Sequence, residues 1–563
     1  MIDTLPPGLL LIAGGLLVPL LRGRVRAALL LLLPVVTLWW IWHLPEGAPV
    51  AGQYFGYDLV PVRVDALSRL FATVFSFMAF AGGLFAMRQA RTVELAAAFA
   101  YAGSALGAVF AGDLLTLFVF WELMAVTSAM VIWSAGTQGA YAAGMRYVVV
   151  HLLGGVVLMA GVIAYVKTTG DAGFNVLDHP GAARWLILAG FLVNAGAPPL
   201  SAWVADAYPE GSPSGTVFLS AFTTKTAVYA LIRGFPGEQA LLFFGLYMAV
   251  YGIIYALLEN DMRRILSYSI VNQVGFMVTA VGIGTPLALN GAAAHAFAHI
   301  IYKGLLLMSA GSVFYQTGNR KCTDLGGLFQ SMPVTTICGT IGALAISAFP
   351  LTSGFVTKSM INLSAANQHL MLVWFILVAA SAGVFLHAGI KFPWFVFFQK
   401  DSGLRPPDPP ANMRWAMYLF SFLCIGLGVY PAPLYRILPY PVDFVPYTAS
   451  HLVSQTQLLL FAGLAFFVML PMMQRTLTVT LDFDWFYRRL GPALVRGGVV
   501  VWDGVQSGIT RGAVGLYRGA VGWLERHHGL EGTFSRTWPT GSMVVWVAVL
   551  LTAYLLLEFL GVT

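Results

Sequence analysis

The chain alternates long apolar runs with short polar loops. Sixteen runs reach crossing length, at residues 7–21, 27–43, 66–87, 93–111, 114–134, 142–166, 183–205, 214–234, 239–258, 264–283, 289–316, 333–366, 370–397, 413–430, 454–473 and 543–561. About 20 apolar residues in a helix cross a hydrocarbon core of ~30 Å. The pattern predicts an all-α integral membrane protein of about 14–16 transmembrane helices. Two runs carry helix breakers: Asn194-Ala195-Gly196-Ala197-Pro198-Pro199 in one, Pro350-Leu351-Thr352-Ser353-Gly354 in the other. Broken helices at membrane depth survive only where protein or a water-filled cavity satisfies the freed backbone. A pair of them in two halves of a chain points to a transport site.

Composition agrees. Of 563 residues, 58% are hydrophobic and 10% charged, too little polar surface for a soluble protein of this length. The basic clusters Arg22/Arg24/Arg26, Arg88/Arg91, Arg263/Arg264, Arg320/Lys321, Lys400/Arg405 and Arg488/Arg489 fall on one side if every run crosses once. The positive-inside rule makes that side the cytoplasm and places both termini outside. The net charge of +7 thus reads as membrane orientation, with no nucleic-acid partner. Cys322, Cys338 and Cys424 are scattered and form no metal or disulfide pattern. No phosphate-binding loop, dinucleotide fingerprint or cysteine cluster is present, so no cofactor or metal site is expected and the driving force is expected from an ion gradient or from partner subunits.

Ionisable side chains inside such runs cost roughly 2.5–3.5 kcal/mol each and mark function by default. Residues 114–131 contain one, Glu122. The others at mid-span are His151, Lys225, His295, His299, Lys303 and Lys358. The i, i+4, i+8 spacing of His295, His299 and Lys303 stacks them on one helix face, an arrangement suited to stepwise proton transfer. Lys225 lies too deep to snorkel. Lys358 follows the second break, where freed carbonyls can stabilise its charge. His387 and Lys391 sit near a span end as exit-side candidates. Asp113 is expected to cap the Glu122 helix.

With these residues placed, "GDLLTLFVFWE" (112–122), "PPLSAWVADAYPE" (198–210), "TKTAVYALIR" (224–233), "NDMRRILSYSIVNQVGF" (260–276), "HAFAHIIYKGLLLMSAG" (295–311) and "PLTSGFVTKS" (350–359) resemble the proton-translocating antiporter-like subunits. That family is shared by Mrp-type cation/proton antiporters and the membrane arm of respiratory complex I. "LDFDWFYRRLG" (481–491) and "FPWFVFFQKDSGLR" (392–405) look closest to the D-type subunits of Mrp-like antiporters. The resemblance implies two inverted five-helix repeats and a hetero-oligomeric membrane complex. It also implies transport of protons and a monovalent cation such as Na⁺, in a bacterial cytoplasmic membrane. A redox-driven proton pump, or a scaffold for another transporter such as one for inorganic carbon, remains open.

The resemblance makes Glu122 the acid of the first repeat and Lys225 the central lysine. It makes His295, His299 and Lys303 the polar helix of the second repeat, and Lys358 the lysine on its broken helix. One position departs. The family usually has a lysine five residues before the proline of a "PLH" motif, paired with the glutamate. Here that position is Asn194, and the histidine is Ser201. Asparagine carries no charge, so three readings stay open: Glu122 finds another cation, with His151 or Lys225 as the substitute partner, or desolvation keeps it partly protonated at rest, or the chain has lost part of the pumping machinery.

The resulting division is 1–90 N-terminal helices, 91–260 first repeat, 261–400 second repeat, 401–475 additional helices, 476–540 an amphipathic segment and 541–563 an anchor. Gly504, Gly508, Gly512, Gly515, Gly519 and Gly522 share one helical face in the penultimate segment. The spacing predicts an interfacial helix rather than a glycine-rich linker.

Overall fold

A computed structural model describes residues 5–54, 56–472 and 482–561. It divides into two compact units, Met1–Trp485 and Phe486–Thr563. The expected boundary between 401–475 and 476–540 lies outside the described residues, as does the end of the 454–473 run.

Unit 1 begins with α1 (Gly8–Leu17), α2 (Gly23–His43), a hairpin of β1 (Gly52–Tyr54) with β2 (Tyr57–Leu59), and α3 (Ala66–Ala86). The next helices follow one order twice. First come α4 (Thr92–Phe110), α5 (Leu114–Trp133), α6 (Gln138–Thr169), a broken pair α7 (Ala182–Ala195) and α8 (Trp203–Ala207), then α9 (Gly215–Leu219) leading into α10 (Thr223–Gly234). The second set is α11 (Ala240–Leu258), α12 (Met262–Ile283), α13 (Pro286–Thr317), a broken pair α14 (Pro333–Ile346) and α15 (Ser353–Asn367), then α16 (Met371–Val384). In each set the third helix has 32 residues and the fourth is broken. α17 (Ala411–Val429), α18 (Ala432–Tyr435) and α19 (Ala449–Val468) complete the unit.

Among the described residues, thirteen helices are long and apolar enough to cross a membrane, and three shorter apolar ones complete the sixteen expected runs. The protein is an all-α, multi-pass membrane protein. Both breaks occur where the sequence places them. α7 ends at Gly196, whose φ of +79° needs no Cβ. The second break instead puts Ala348 at φ 56° and Leu351 at φ 70°, positions costly for L-residues. The 370–397 run departs from expectation. It is α-helical only to Val384 and then passes through π-helical turns at Phe385–Lys391 and Trp394–Phe398.

Local chemistry explains the helix starts. The Asp113 side chain accepts from the Thr116 N–H, Thr137 from Ala140, Thr285 from Ala288, and Asp65 forms a capping box with Ser68. The core lies along α9–α10, α12 and α13, which are buried almost throughout despite carrying the polar residues. α11 approaches α12 closely because Gly252 has no side chain: a Cβ there would lie 2.6 Å from the Asn272 N and the Tyr268 O.

At one end of the bundle, Arg233 and Arg63 converge on Asp65. Arg233 donates to both carboxylate oxygens at 3.0 and 2.8 Å and to the Tyr229 hydroxyl at 2.8 Å. Burial alone would push the Asp65 carboxyl up, but the Arg233 charge and the Ser68 N–H together hold it below its ordinary value. The stability gained is therefore fully present above the unfolded carboxyl value and is lost as pH falls through the depressed folded one. Arg233→Leu is expected to lower stability by about 2–3 kcal/mol, the low end for breaking a buried pair because Asp65 is 34% exposed. The variant should also lose part of the acid sensitivity of the thermal midpoint, read by unfolding scans in detergent at several pH values.

In unit 2, a π-helical turn at Phe486–Leu490 leads into α20 (Gly491–His528), followed by α21 (Thr540–Phe559). The glycine-rich segment is helical, as expected. Within unit 2 none of the residues of α20 is buried, and there a Cβ on any of its six stripe glycines would meet open space.

Candidate functional site

The second set of helices brings most of the expected residues into one polar seam. α13 carries His295, His299 and Lys303, all fully buried. The His295 Nε2 lies 3.1 Å from the Gln273 Oε1, and its Nδ1 lies 3.3 Å from the Thr357 hydroxyl. The Tyr302 hydroxyl donates to the same Gln273 oxygen at 3.1 Å and lies 3.3 Å from His295 Nε2. Thr357 is the neighbour of Lys358, whose ammonium donates at 3.0 Å to the Ile346 carbonyl and lies 5.0 Å from the Phe276 ring centroid. That carbonyl is at the C-terminus of the half-helix α14, so the break supplies a partner for the buried cation, as expected.

At the other end of the stack, Lys303 donates to the Ser269 hydroxyl at 2.9 Å and the Leu266 carbonyl at 3.3 Å. His299 lies between, with both ring nitrogens buried and unpartnered. Its ring centroid is 6.4 Å from that of His295 and 5.2 Å from that of Tyr302. Lys225, from the first set, is fully buried on α10, which packs against α13. Its ammonium donates to the Ser220 carbonyl at 2.6 Å and to the Thr224 hydroxyl at 3.0 Å. A row of buried titratable groups thus lies on α10, α13 and α15. Its ammonium groups are held by neutral oxygens rather than by carboxylates, so each can lose a proton without leaving an orphaned anion.

Glu122 stands apart from this row. Its Oε1 is buried and unpartnered, and it lies against Gly155, where a Cβ would strike it. The expectation that His151 or Lys225 pairs with it is not met. His151 instead stacks on Tyr147 and meets Trp203 edge to face, with its Nδ1 on the Tyr147 carbonyl at 2.9 Å, and Lys225 is satisfied by its own segment of chain. Asn194 is buried with both amide atoms unpartnered, and Ser201 is buried with an unpartnered hydroxyl.

The two exit-side candidates are fully buried, not snorkelling at a span end. Lys391 donates to the carbonyls of Ala256, Leu257 and Glu259 at 2.6–2.8 Å. Three carbonyls at the C-terminus of α11 thus surround the ammonium. The His387 Nδ1 lies 2.7 Å from the Gly383 carbonyl. Both side chains are turned inward by the π-helical turns, a feature that apolar periodicity does not encode.

Sequence reasoning passed over Gln273, Tyr302, Thr357 and Ser269, which join the titratable groups. Their neutral side chains carry no insertion cost large enough to flag them. It also passed over Glu94, which is 1% exposed and lies in the first turn of α4. Its carboxylate accepts from Ser212 at 2.7 Å, from Ser214 and from Ser134. On the far side of that loop, Arg263 donates to the Gly211 and Ser212 carbonyls at 2.8 Å. Two buried charges therefore clamp the segment between the first broken helix and the Lys225 helix. Among the described residues no group of His, Cys, Asp and Glu could hold a metal ion.

Comparison with known proteins places this geometry. Residues 111–385 match the family model described as "NADH:quinone oxidoreductase/Mrp antiporter, TM". The chain is 30% identical to a D-type Na⁺/H⁺ antiporter subunit of Alkalihalophilus pseudofirmus over 59% of its own length and 71% of that protein. It belongs to this family. The family match covers every residue of the row from Lys225 to Lys358, together with Glu122 and Asn194, and stops just short of His387 and Lys391. Another relative is a probable K⁺/H⁺ antiporter subunit, of the A/B type, from Rhizobium meliloti, 29% identical over 66% of this chain. The chain spans only 40% of that longer protein. The fold is that of a chain in the Mrp complex of Dietzia sp. DQ12-45-1b, with TM-score 0.69 and 21% identity over 77% of this chain and 95% of that one.

Proposed function

We propose that this protein is a proton-conducting subunit of a multi-subunit antiporter in the bacterial cytoplasmic membrane, exchanging protons for a monovalent cation. The observation that carries the reading is the buried row His299, His295 and Lys358, linked within the second set through Thr357 and Tyr302, with buried Lys225 of the first set on α10, which packs against α13. Protons move along such a row by successive protonation changes with intervening water. Lys303 supports the cytoplasmic side of the row and Glu122 is the acid of the first set. His151, His387 and Lys391 shape its flanks. The two sets of five helices are inverted repeats, because an odd number of crossings reverses the second. α20 lies along the cytoplasmic interface and α21 anchors it.

The named activities of the Alkalihalophilus and Rhizobium relatives, Na⁺/H⁺ and K⁺/H⁺ exchange, support a monovalent partner ion, and Na⁺ is the one we propose. The test is purification of the native complex with its co-purifying subunits, followed by reconstitution into vesicles. An imposed Na⁺ gradient is expected to acidify or alkalinise the lumen according to its direction, and choline is expected to do neither. Proton movement that ignores Na⁺ and K⁺ but follows an added electron donor overturns this reading in favour of a redox-driven pump.

A further inference from the structure

Glu122 has no cation beside it, and the polar groups around it are unusually short of partners. Four elements meet there. α5 carries Glu122 and Trp121, and the indole of Trp121 packs at 5.2 Å on Phe191, one turn before Asn194 on α7. α6 packs against both with two adjacent glycines: Gly155 faces the Glu122 carboxylate and Gly154 faces Val193, the neighbour of Asn194. The turn after the break brings Trp203, whose indole donates to the Val193 carbonyl at 2.9 Å and whose ring faces His151 at 4.6 Å. At this junction the Glu122 Oε1, the Asn194 Oδ1 and Nδ2, the Ser201 hydroxyl, the Trp121 Nε1 and the His151 Nε2 are all buried without a partner.

Buried polar atoms are satisfied in nearly every native protein, so a group of them at one junction calls for a ligand. Glu122 is half-buried within the chain, and a carboxylate inside a membrane span needs its charge settled by a proton or by a cation. We propose that the Glu122 carboxylate and the Asn194 carbonyl oxygen form a site for a monovalent alkali cation, which competes there with the proton on Glu122. The oxygens are hard donors, suited to an alkali ion rather than a soft metal. The single carboxylate fixes the charge: one monovalent ion leaves the site neutral, whereas a divalent ion leaves a buried positive charge. The Ser201 hydroxyl completes the polar wall through water. The titratable and charged groups on elements packed against α5 are Glu94 and Tyr101 of α4 and Tyr141, Arg146, Tyr147, His151, Tyr165 and Lys167 of α6, while α9 offers none. Arg146 of α6 is bound to Asp206 and Arg184 of α7 to Glu238, and among the described residues no ion pair reaches Glu122. The competition is thus set at Glu122 itself.

This site rests on the proposed exchange function and names where the exchanged ion binds. The test is infrared difference spectroscopy of the purified complex at constant pH, with NaCl, then KCl, against choline chloride. Na⁺ is expected to remove a protonated-carboxyl band, and that loss is expected to vanish in Glu122→Gln. Asn194→Leu should raise the Na⁺ concentration at half-effect by at least about tenfold, an affinity loss of about 1.4 kcal/mol. Asn194→Lys, which tethers an ammonium in the site, should abolish the Na⁺ response. Thermal midpoints and subunit composition of each variant confirm assembly. A wild-type response no different from choline, or one unchanged in Asn194→Leu, overturns the site. Na⁺-driven proton flux with no Na⁺ response at Glu122 would sink the site but leave the transport reading. A Na⁺ response with no cation-driven flux would do the reverse.

Discussion

Replacing Lys225 by methionine is expected to reduce proton translocation by about 100-fold or more, the usual contribution of one positioned proton-transfer group. Methionine fills similar volume in the core, so assembly should persist. The sharper variant is Lys225→Arg. Arginine keeps the positive charge and can donate to the Ser220 and Thr224 oxygens, but it does not release its proton in a protein. If Lys225 relays protons, Lys225→Arg should be nearly as inactive as Lys225→Met. If its charge only organises the helices, Lys225→Arg should work. Vesicle acidification rates, normalised to reconstituted complex, separate the two, and an active Lys225→Arg would remove Lys225 from the relay.

Ending the chain after Trp485 is expected to leave unit 1 folded and to cut recovery of the assembled complex by at least about tenfold. Unit 1 holds its own core and all the titratable row. α20 and α21 bury nothing within unit 2, and a 38-residue helix is about 57 Å long. Its six stripe glycines each lower helix stability by about 1 kcal/mol relative to alanine. A helix that long and that glycine-rich needs surfaces beyond unit 2 to hold it, and small residues are what closely packed membrane helices use. Blue-native electrophoresis of the truncated protein, with the thermal midpoint of unit 1 as a control, reads both halves of the expectation. Unchanged recovery would mean that the C-terminal unit serves something other than assembly.

Hydrophobic runs revealed the helices because lipid admits so few alternatives. A residue such as Glu122 or Lys225 stands out against apolar neighbours as it never would in a soluble protein. The breaks were equally legible, since Pro198-Pro199 and Pro350 cannot continue a helix. What the runs did not encode is pairing. Whether Glu122 meets His151 depends on how His151 sits between Tyr147 and Trp203, a three-dimensional matter. The inward turn of His387 and Lys391 follows from π-helical winding that keeps the same residues and the same hydropathy. Gln273 and Tyr302 went unnoticed because a neutral side chain becomes part of a relay only through its distances. Glu94 was hidden by its place in a first helical turn, where acids are commonplace.

The second break has one more implication. Ala348 and Leu351 are held at positive φ, where each costs roughly 1–2 kcal/mol that glycine would not. The joint beside Lys358 is thus a loaded spring rather than a slack hinge. Any rearrangement that lets these two residues return to ordinary backbone angles recovers that energy. A change in the charge on Lys358 has only to tip a balance of a few kcal/mol to convert an electrical event into a mechanical one.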